Sequence, residues 1–394
     1  MKKLLSILLT LALTLSLSAP ALAIHEGEIG ICLDGRTYYP TSLPVQVQNG
    51  RTMVPLRDLA EKLGADVEWV QEKQEIVMTR AGSTVTMTLG KTTADVDGAA
   101  MEMDVAPYAV EGHTLIPARY VAEFFGQLVT WDQEKQLVVV EEDKSVAGDS
   151  NLEDWALAMG AMLVRINYGR IEGFGGDGRA VPMSYSTTNG MSPTMTMAEF
   201  AREMLSDDWG ITGRADLIET VTVMTTGGHN VDFQETAAVA DSLTDAEWKD
   251  LIAQSGEVDA YMWSYTKTLA EKWGDKGILA WDLFRMSNLA QWGYVAGYVT
   301  YAESLALVEP AARHLCETFS SWEEAYENYL DGYIWWSRTD LNGQDVWETH
   351  RGRLYRSLRG GESAALFDDS LFTTGVIGLP EGVAPSLEEL AGIS

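Results

Sequence analysis

Cysteine is almost absent. Two occur in 394 residues, Cys32 and Cys316, far apart in the chain, so no disulfide framework can carry the fold. A Cys32–Cys316 bridge and two free thiols are both open, and free buried thiols are the expectation. Histidine is as scarce: His25, His113, His229, His314 and His350 stand alone, with no Cys-x-x-Cys or His-x-x-x-His spacing, so no zinc site is expected and no cofactor is called for. Positive charge is short as well. Lys and Arg number 28 against 58 Asp and Glu, a formal charge of -30. Nucleic acid is therefore not an expected partner, because binding phosphate needs clustered Lys and Arg. Beyond the first residues no run of about eighteen apolar residues occurs, so the mature chain is expected to have no membrane span.

The N-terminus has a distinct pattern. Lys2 and Lys3 precede an apolar run, Leu4 to Leu17, and Ala21-Leu22-Ala23 is a small-x-small cleavage site. This is the pattern of a secretory signal peptide, residues 1–23, too short to span and followed by no stop-transfer segment. Loss of Lys2 and Lys3 would take the mature chain to -32. The expected localisation is secreted or envelope-associated, with cleavage after Ala23.

A duplication follows. Asn49-Gly50-Arg51-Thr52-Met53-Val54-Pro55-Leu56-Arg57 aligns with Glu111-Gly112-His113-Thr114-Leu115-Ile116-Pro117-Ala118-Arg119 at a spacing of 62, and the register continues through Gly64/Gly126 and Trp69/Trp131. So many matched positions make an internal repeat. In each copy a proline suits a helix start. Leu56, Leu59, Ala60 and Leu63 then give a short amphipathic helix that Gly64 ends. Val67 and Trp69 alternate with Asp66 and Glu68, as in a half-buried strand. The expectation is a small α+β module of antiparallel strands with short helices.

These residues resemble the copper amine oxidase-like N-terminal domain, over about 24–142. The resemblance implies a stalk or interaction module common in exported Gram-positive proteins, without copper chemistry. The second copy departs from the family pattern at His113 and Ala118. Amine oxidase activity is not expected, since no His-x-His pair occurs and Asn328-Tyr329 is followed by Leu330. Arg57 and Arg119 are candidate binding residues, to be weighed against surface arginines that pair with a nearby carboxylate.

Residues 143–150 are polar and aperiodic and read as a linker. Hydrophobic periodicity then becomes helical: Leu152, Trp155, Ala156, Met159, Met162, Leu163 and Ile166 form one stripe. Capping boxes are expected at Ser150/Glu153, Thr196/Glu199, Thr244/Glu247, Thr300/Glu303 and Ser321/Glu324. A mainly α-helical domain over 151–359 follows, with a Gly- and Ser-rich loop at about 172–192 and a loose tail over 360–394. The chain is thus read as multidomain.

The run Ile278 to Val299 is apolar nearly all round and should be buried, yet it carries Asp282 and Arg285. Three apart on a helix, these two can pair, and a fork-shaped structural ion pair is expected. The stretch 151–359 resembles the domain-of-unknown-function family 1266 through Trp155-Ala156-Leu157, Gly160-Ala161, Gly228-His229-Asn230, Ala280-Trp281-Asp282-Leu283-x-Arg285, Gly293-Tyr294-x-Ala296-Gly297-Tyr298, Ser320-Ser321-Trp322-Glu323-Glu324 and Tyr329-Leu330-x-Gly332. The resemblance implies no activity.

The remaining motifs fail on context. Gly173-x-Gly175-x-x-Gly178 follows a helix, where a dinucleotide fingerprint needs a preceding strand. Ser264-x-x-Lys267 lacks a downstream Lys-Thr-Gly. Asp340-x-Asn342-Gly343-x-Asp345 lacks the spacing of a calcium loop. Tryptophans crowd the second half and are mostly core, because each buries a large apolar area. Trp335 and Trp336 are the exception, since helical neighbours cannot both face one core. They are the remaining candidate binding residues. The reading is an exported, non-catalytic protein in which a stalk carries a helical partner-binding domain, the partner being a cell-wall component or another exported protein. An envelope hydrolase with its site on the helical domain is the alternative.

Overall fold

A computed structural model describes residues 27–167, 173–175, 179, 186–187, 190–191 and 195–393. The segment 1–23, read as a signal peptide, and all but Gly173–Gly175, Arg179, 186–187 and 190–191 of the glycine-rich loop, lie outside the described residues. A β-rich region with short helices is followed by a mainly helical one.

In the β-rich region the aligned stretches run through the same order of elements. Arg51–Pro55 leads into helix Leu56–Lys62 and strands Asp66–Val70 and Glu75–Arg80; His113–Pro117 leads into helix Ala118–Glu123 and strands Gln127–Asp132 and Leu137–Glu142. Both prolines sit just outside the helix, at the N-cap position. Strands Arg51–Pro55 and His113–Pro117 pair antiparallel, Met53 opposite Pro117, Val54 opposite Ile116 and Pro55 opposite Leu115. A shift of 62 maps this set of pairs onto itself, so a local two-fold axis passes through the Val54–Ile116 pair. Strands Asp66 to Glu102 form a five-stranded antiparallel meander. One pairing departs from the antiparallel expectation: Gly30–Leu33 lies parallel to Leu137–Glu142, joining the start of the region to its end. Ile31, Leu33, Val54, Leu59, Ile116 and Val140 are fully buried between these layers.

The helical region is built round Leu279–Ala296, which packs against helices Leu152–Ile166, Met197–Trp209, Arg214–Gly227, Tyr301–Thr318 and Trp322–Ser337. Its burial on every side is the reason it is apolar on every side.

Two expectations about the chain's organisation are corrected. The linker is not a free tether: Asp143 caps a 3-10 turn, Lys144–Ala147, and Ala147 enters the helical core. The tail is not loose. Phe367 and Leu387 are buried in the same core, and Asn151 bonds both Gly375 O (2.8 Å) and Ile377 N (2.8 Å). Cys32 and Cys316 are unbridged.

The two regions also meet through charge. Arg179, 1% exposed, holds Asp34 in a fork at 2.8 and 3.0 Å and donates to Gln127 at 2.7 Å. Tyr294 donates to Glu142 at 2.6 Å. Arg202 reaches Asp66, Gly64 O and Ala296 O. Gly64 and Gly297 touch backbone to backbone: a Cβ on Gly297 would stand 1.9 Å from Gly64 O.

Candidate functional site

Two sequence motifs that lie fifty residues apart converge at the start of the central helix. Helix His229–Ser242 begins at Gly228, and its first N–H groups have no partner within the helix. Asp282 supplies one: Asn230 N donates to Asp282 Oδ2 at 2.7 Å. The favour is returned, since Asn230 Oδ1 accepts from Ile278 N (2.7 Å) at the start of the central helix. Asn328 adds a second cap there, accepting from Ala280 N and donating to Gly277 O. Gly228 is required by this closeness, for a Cβ would lie 2.3 Å from Asp282 Oδ2.

Asp282 and Arg285 meet, but not as the fork expected. Their one contact is 3.7 Å, from Nη1 to Oδ1. The same Nη1 lies 2.9 Å from Nδ1 of His229, and that nitrogen is 3.3 Å from Asp282 Oδ1. Arginine can only donate, so Nδ1 accepts and the proton of a neutral imidazole sits on Nε2. The guanidinium has turned from the carboxylate to lie among indoles, 4.4 Å from the Trp209 ring centre, 4.9 Å from Trp281 and 6.0 Å from Trp336. Burial depresses its pKa from the ordinary arginine value, while Asp282 acts the other way. A caged cation over aromatic faces gains cation–π attraction in place of one fork bond.

Trp335 and Trp336 divide as their adjacency requires. Trp335 is buried, packs edge-on to Phe233, and donates Nε1 to Thr266 at 2.8 Å. Trp336 is 45% exposed and lies beside His229 and Trp281. With Met262 and Arg338 they border a cavity of about 510 Å³. Trp281, Trp292 and Trp322 are core.

Arg57 and Arg119 stand on the other region, each more than half exposed, each paired one turn on, with Glu61 at 2.9 Å and Glu123 at 3.6 Å. They do not approach the Asp282 cluster. The serine–lysine motif disperses: Ser264 bonds Ala260 O of its own helix and Lys267 pairs with Asp245. Asp340 bonds the backbone of Asn342 as in a turn. Among the described residues no group of three or more His, Cys, Asp or Glu is placed to hold a metal ion.

One buried carboxylate leaves no mark in the sequence pattern. Asp331 accepts from Tyr265 Oη, Lys272 Nζ and Trp273 Nε1, each at 2.8 Å. Burial, then the Asp331 charge, pushes the Tyr265 hydroxyl well above the usual tyrosine range. Its donors come from another helix, so no spacing within one segment could reveal it.

Comparison with known proteins falls into the same two parts. Residues 32–140 match the family model for the copper amine oxidase N-terminal domain, and residues 204–364 match that for a protein of unknown function, DUF1266. The chain therefore carries the first domain followed by the second. The second match begins after helix Leu152–Ile166 and extends into the tail. Two proteins of Escherichia coli (strain K12) are similar to this chain. Uncharacterized protein YbeU is 33% identical over 132 residues, and Uncharacterized protein YbeR is 28% identical over 132 residues. Each match covers 34% of this chain and 56% of the relative, so the chain spans about half the length of the curated relatives it matches.

Proposed function

We propose that this is an exported, non-catalytic protein of the cell envelope, in which the copper amine oxidase N-terminal domain is a stalk and the helical domain binds a partner beside Trp336. One observation carries the reading. Trp336 presents an indole, 45% exposed, to a cavity that Trp335, Met262, His229 and Arg338 also line, on a helix that is otherwise largely buried. An exposed aromatic over a formed pocket is the kind of anchor on which interfaces concentrate binding energy. The partner is a protein or wall component with an apolar side group to fill the cavity. The Asp282–His229–Arg285 cluster serves as the support that holds this face, through the cap that Asp282 gives to helix His229–Ser242. The hydrolase alternative needs a nucleophile beside His229, and the side chains that stand against its Nδ1 are Arg285, which donates to it, and Asp282.

The binding reading is tested by placing a photocrosslinking benzoylphenylalanine at position 336 in expressing cells. A discrete adduct in the envelope fraction is expected, absent when the probe stands at Val223, which is 55% exposed on another helix. No adduct, or the same adduct from both positions, rejects the reading. Export is tested separately by intact mass: the secreted chain should begin at Ile24, and a retained Met1 outside the cell rejects cleavage after Ala23.

A further inference from the structure

The β-rich domain carries two grooves, and they are one groove made twice. The first, of about 540 Å³, is lined by Arg57 and Trp69 from one half and by Gly112 and Thr114 from the other. The second, of about 470 Å³, is lined by Arg119 and Trp131 and by Gly50 and Thr52. All eleven residues lining the second have a counterpart, 62 positions away in the sequence, lining the first. The pairing of Arg51–Pro55 with His113–Pro117 explains the exchange. Two antiparallel strands related by a two-fold axis place the start of each beside the end of the other. Each groove therefore takes its helix and tryptophan strand from one half and its Gly-x-Thr turn from the other, the reciprocity of a two-fold interface.

We infer that these grooves are a pair of equivalent binding sites for a neutral glycan, one per half of the domain. The inference deepens the stalk reading above and rests on it for the envelope setting. Three observations point to a sugar. Trp131 is 44% exposed and Trp69 half-buried, so both offer ring surface, and the Nε1 of Trp69 is already held by Gln71 at 2.7 Å. The C–H face of a pyranose packs on such a ring. Beside each ring stand an arginine, more than half exposed and braced by a carboxylate one turn on, and a threonine: donors and acceptors at the rim of an aromatic platform. Charge selects against a polyanion in the first groove, which Asp58, Glu61 and Glu68 line, while the two arginines lining the second, Arg51 and Arg119, are paired with Asp104 and Glu123.

The two-fold relation has a consequence for the ligand. Related sites run in opposite directions, so a polymer with a chemical direction binds them as two antiparallel segments rather than as one continuous strand. A chain that holds two strands at once gains avidity on an insoluble wall without any new contact.

The test is titration calorimetry of the full mature chain with a β-1,4-linked N-acetylglucosamine hexasaccharide. Two sites per chain are expected. Trp131→Ala should leave one, Arg57→Ala should weaken the other at least tenfold, and Trp69→Ala with Trp131→Ala should abolish both, while the control Val223→Ala leaves both intact. Arg57 and Trp131 are exposed enough that their variants should keep the wild-type melt. No heat at millimolar hexasaccharide, a single site, or binding indifferent to Arg57 and Trp131 overturns the proposal. Loss of binding in Trp336→Ala also overturns it, by moving the sugar to the helical domain. Binding is measured on purified protein, so a failure here is distinct from a failure of export or of the crosslink at position 336.

Discussion

Asp282 is the residue in which position and chemistry are most tightly tied. At 2% exposure it has lost its hydration; it accepts from the Asn230 amide at 2.7 Å and lies 3.7 Å from the Arg285 guanidinium that also reaches His229. The amide bond is the shortest, at the start of a helix where a carboxylate is favoured. Asp282→Ala removes that cap and strands a mostly buried guanidinium, and should lower stability by about 3 kcal/mol. Arg285→Met should cost less. Its thioether chain can keep the Trp209 and Trp281 faces covered, and Asp282 keeps the helix start. The double variant should be no worse than Asp282→Ala alone, since the residues share one network. Denaturant melts of the three variants check this ordering. Equal losses for both single variants would mean that the ion pair, not the cap, is what Asp282 contributes.

At the scale of elements, what was legible was whatever a short window encodes. Helix Leu152–Ile166 and the all-round burial of Leu279–Ala296 follow from spacing alone. Complete capping boxes form at Thr196/Glu199, Thr244/Glu247 and Thr300/Glu303. Where the motif misled, a tertiary partner took the side chain. Glu153 pairs with Lys144 and accepts from Tyr301, and Asn151 is the residue at the cap. Ser321 caps its helix, but Glu324 turns to Ser320 and Lys276. The tail was misread for the same reason: Gly- and Pro-broken sequence has no periodicity, while its anchors, Asn151 and the core around Phe367, lie far away in the chain. Of the candidate site, the converging motifs were visible as separate strings. The indole cage was not, because Trp209, Trp281 and Trp336 come from three helices.

For the whole molecule the sequence reads as two modules joined by a linker, and the seam between them argues against their folding apart. Gly64 was read as a helix stop, which its φ of +81° supports, yet it is also the surface on which Gly297 rests. Its counterpart Gly126 has the same backbone sign and no such neighbour, so the repeat itself cannot announce the contact. Arg179 is the buried pin of the seam. Burial pushes the Asp34 carboxyl up, but the Arg179 charge and hydrogen bonds outweigh this and hold it below its ordinary value of 3.8. A carboxyl depressed on folding contributes stability above its unfolded pKa and loses it as pH falls through the folded one. The full chain should therefore unfold in one transition at neutral pH, and Asp34→Ala, which strands Arg179, should lower stability by about 3 kcal/mol. Below about pH 4 the wild type should approach the variant, because protonating Asp34 removes the same charge. A fragment beginning at Asp149 should melt earlier than the intact chain, having uncovered Arg179, Tyr294 and Gly297. Calorimetric scans of the three proteins at neutral and acid pH decide the matter. Two separate transitions in the intact chain, with Asp34→Ala unchanged at neutral pH, would return the molecule to independent modules and reduce the seam to a contact without energetic weight.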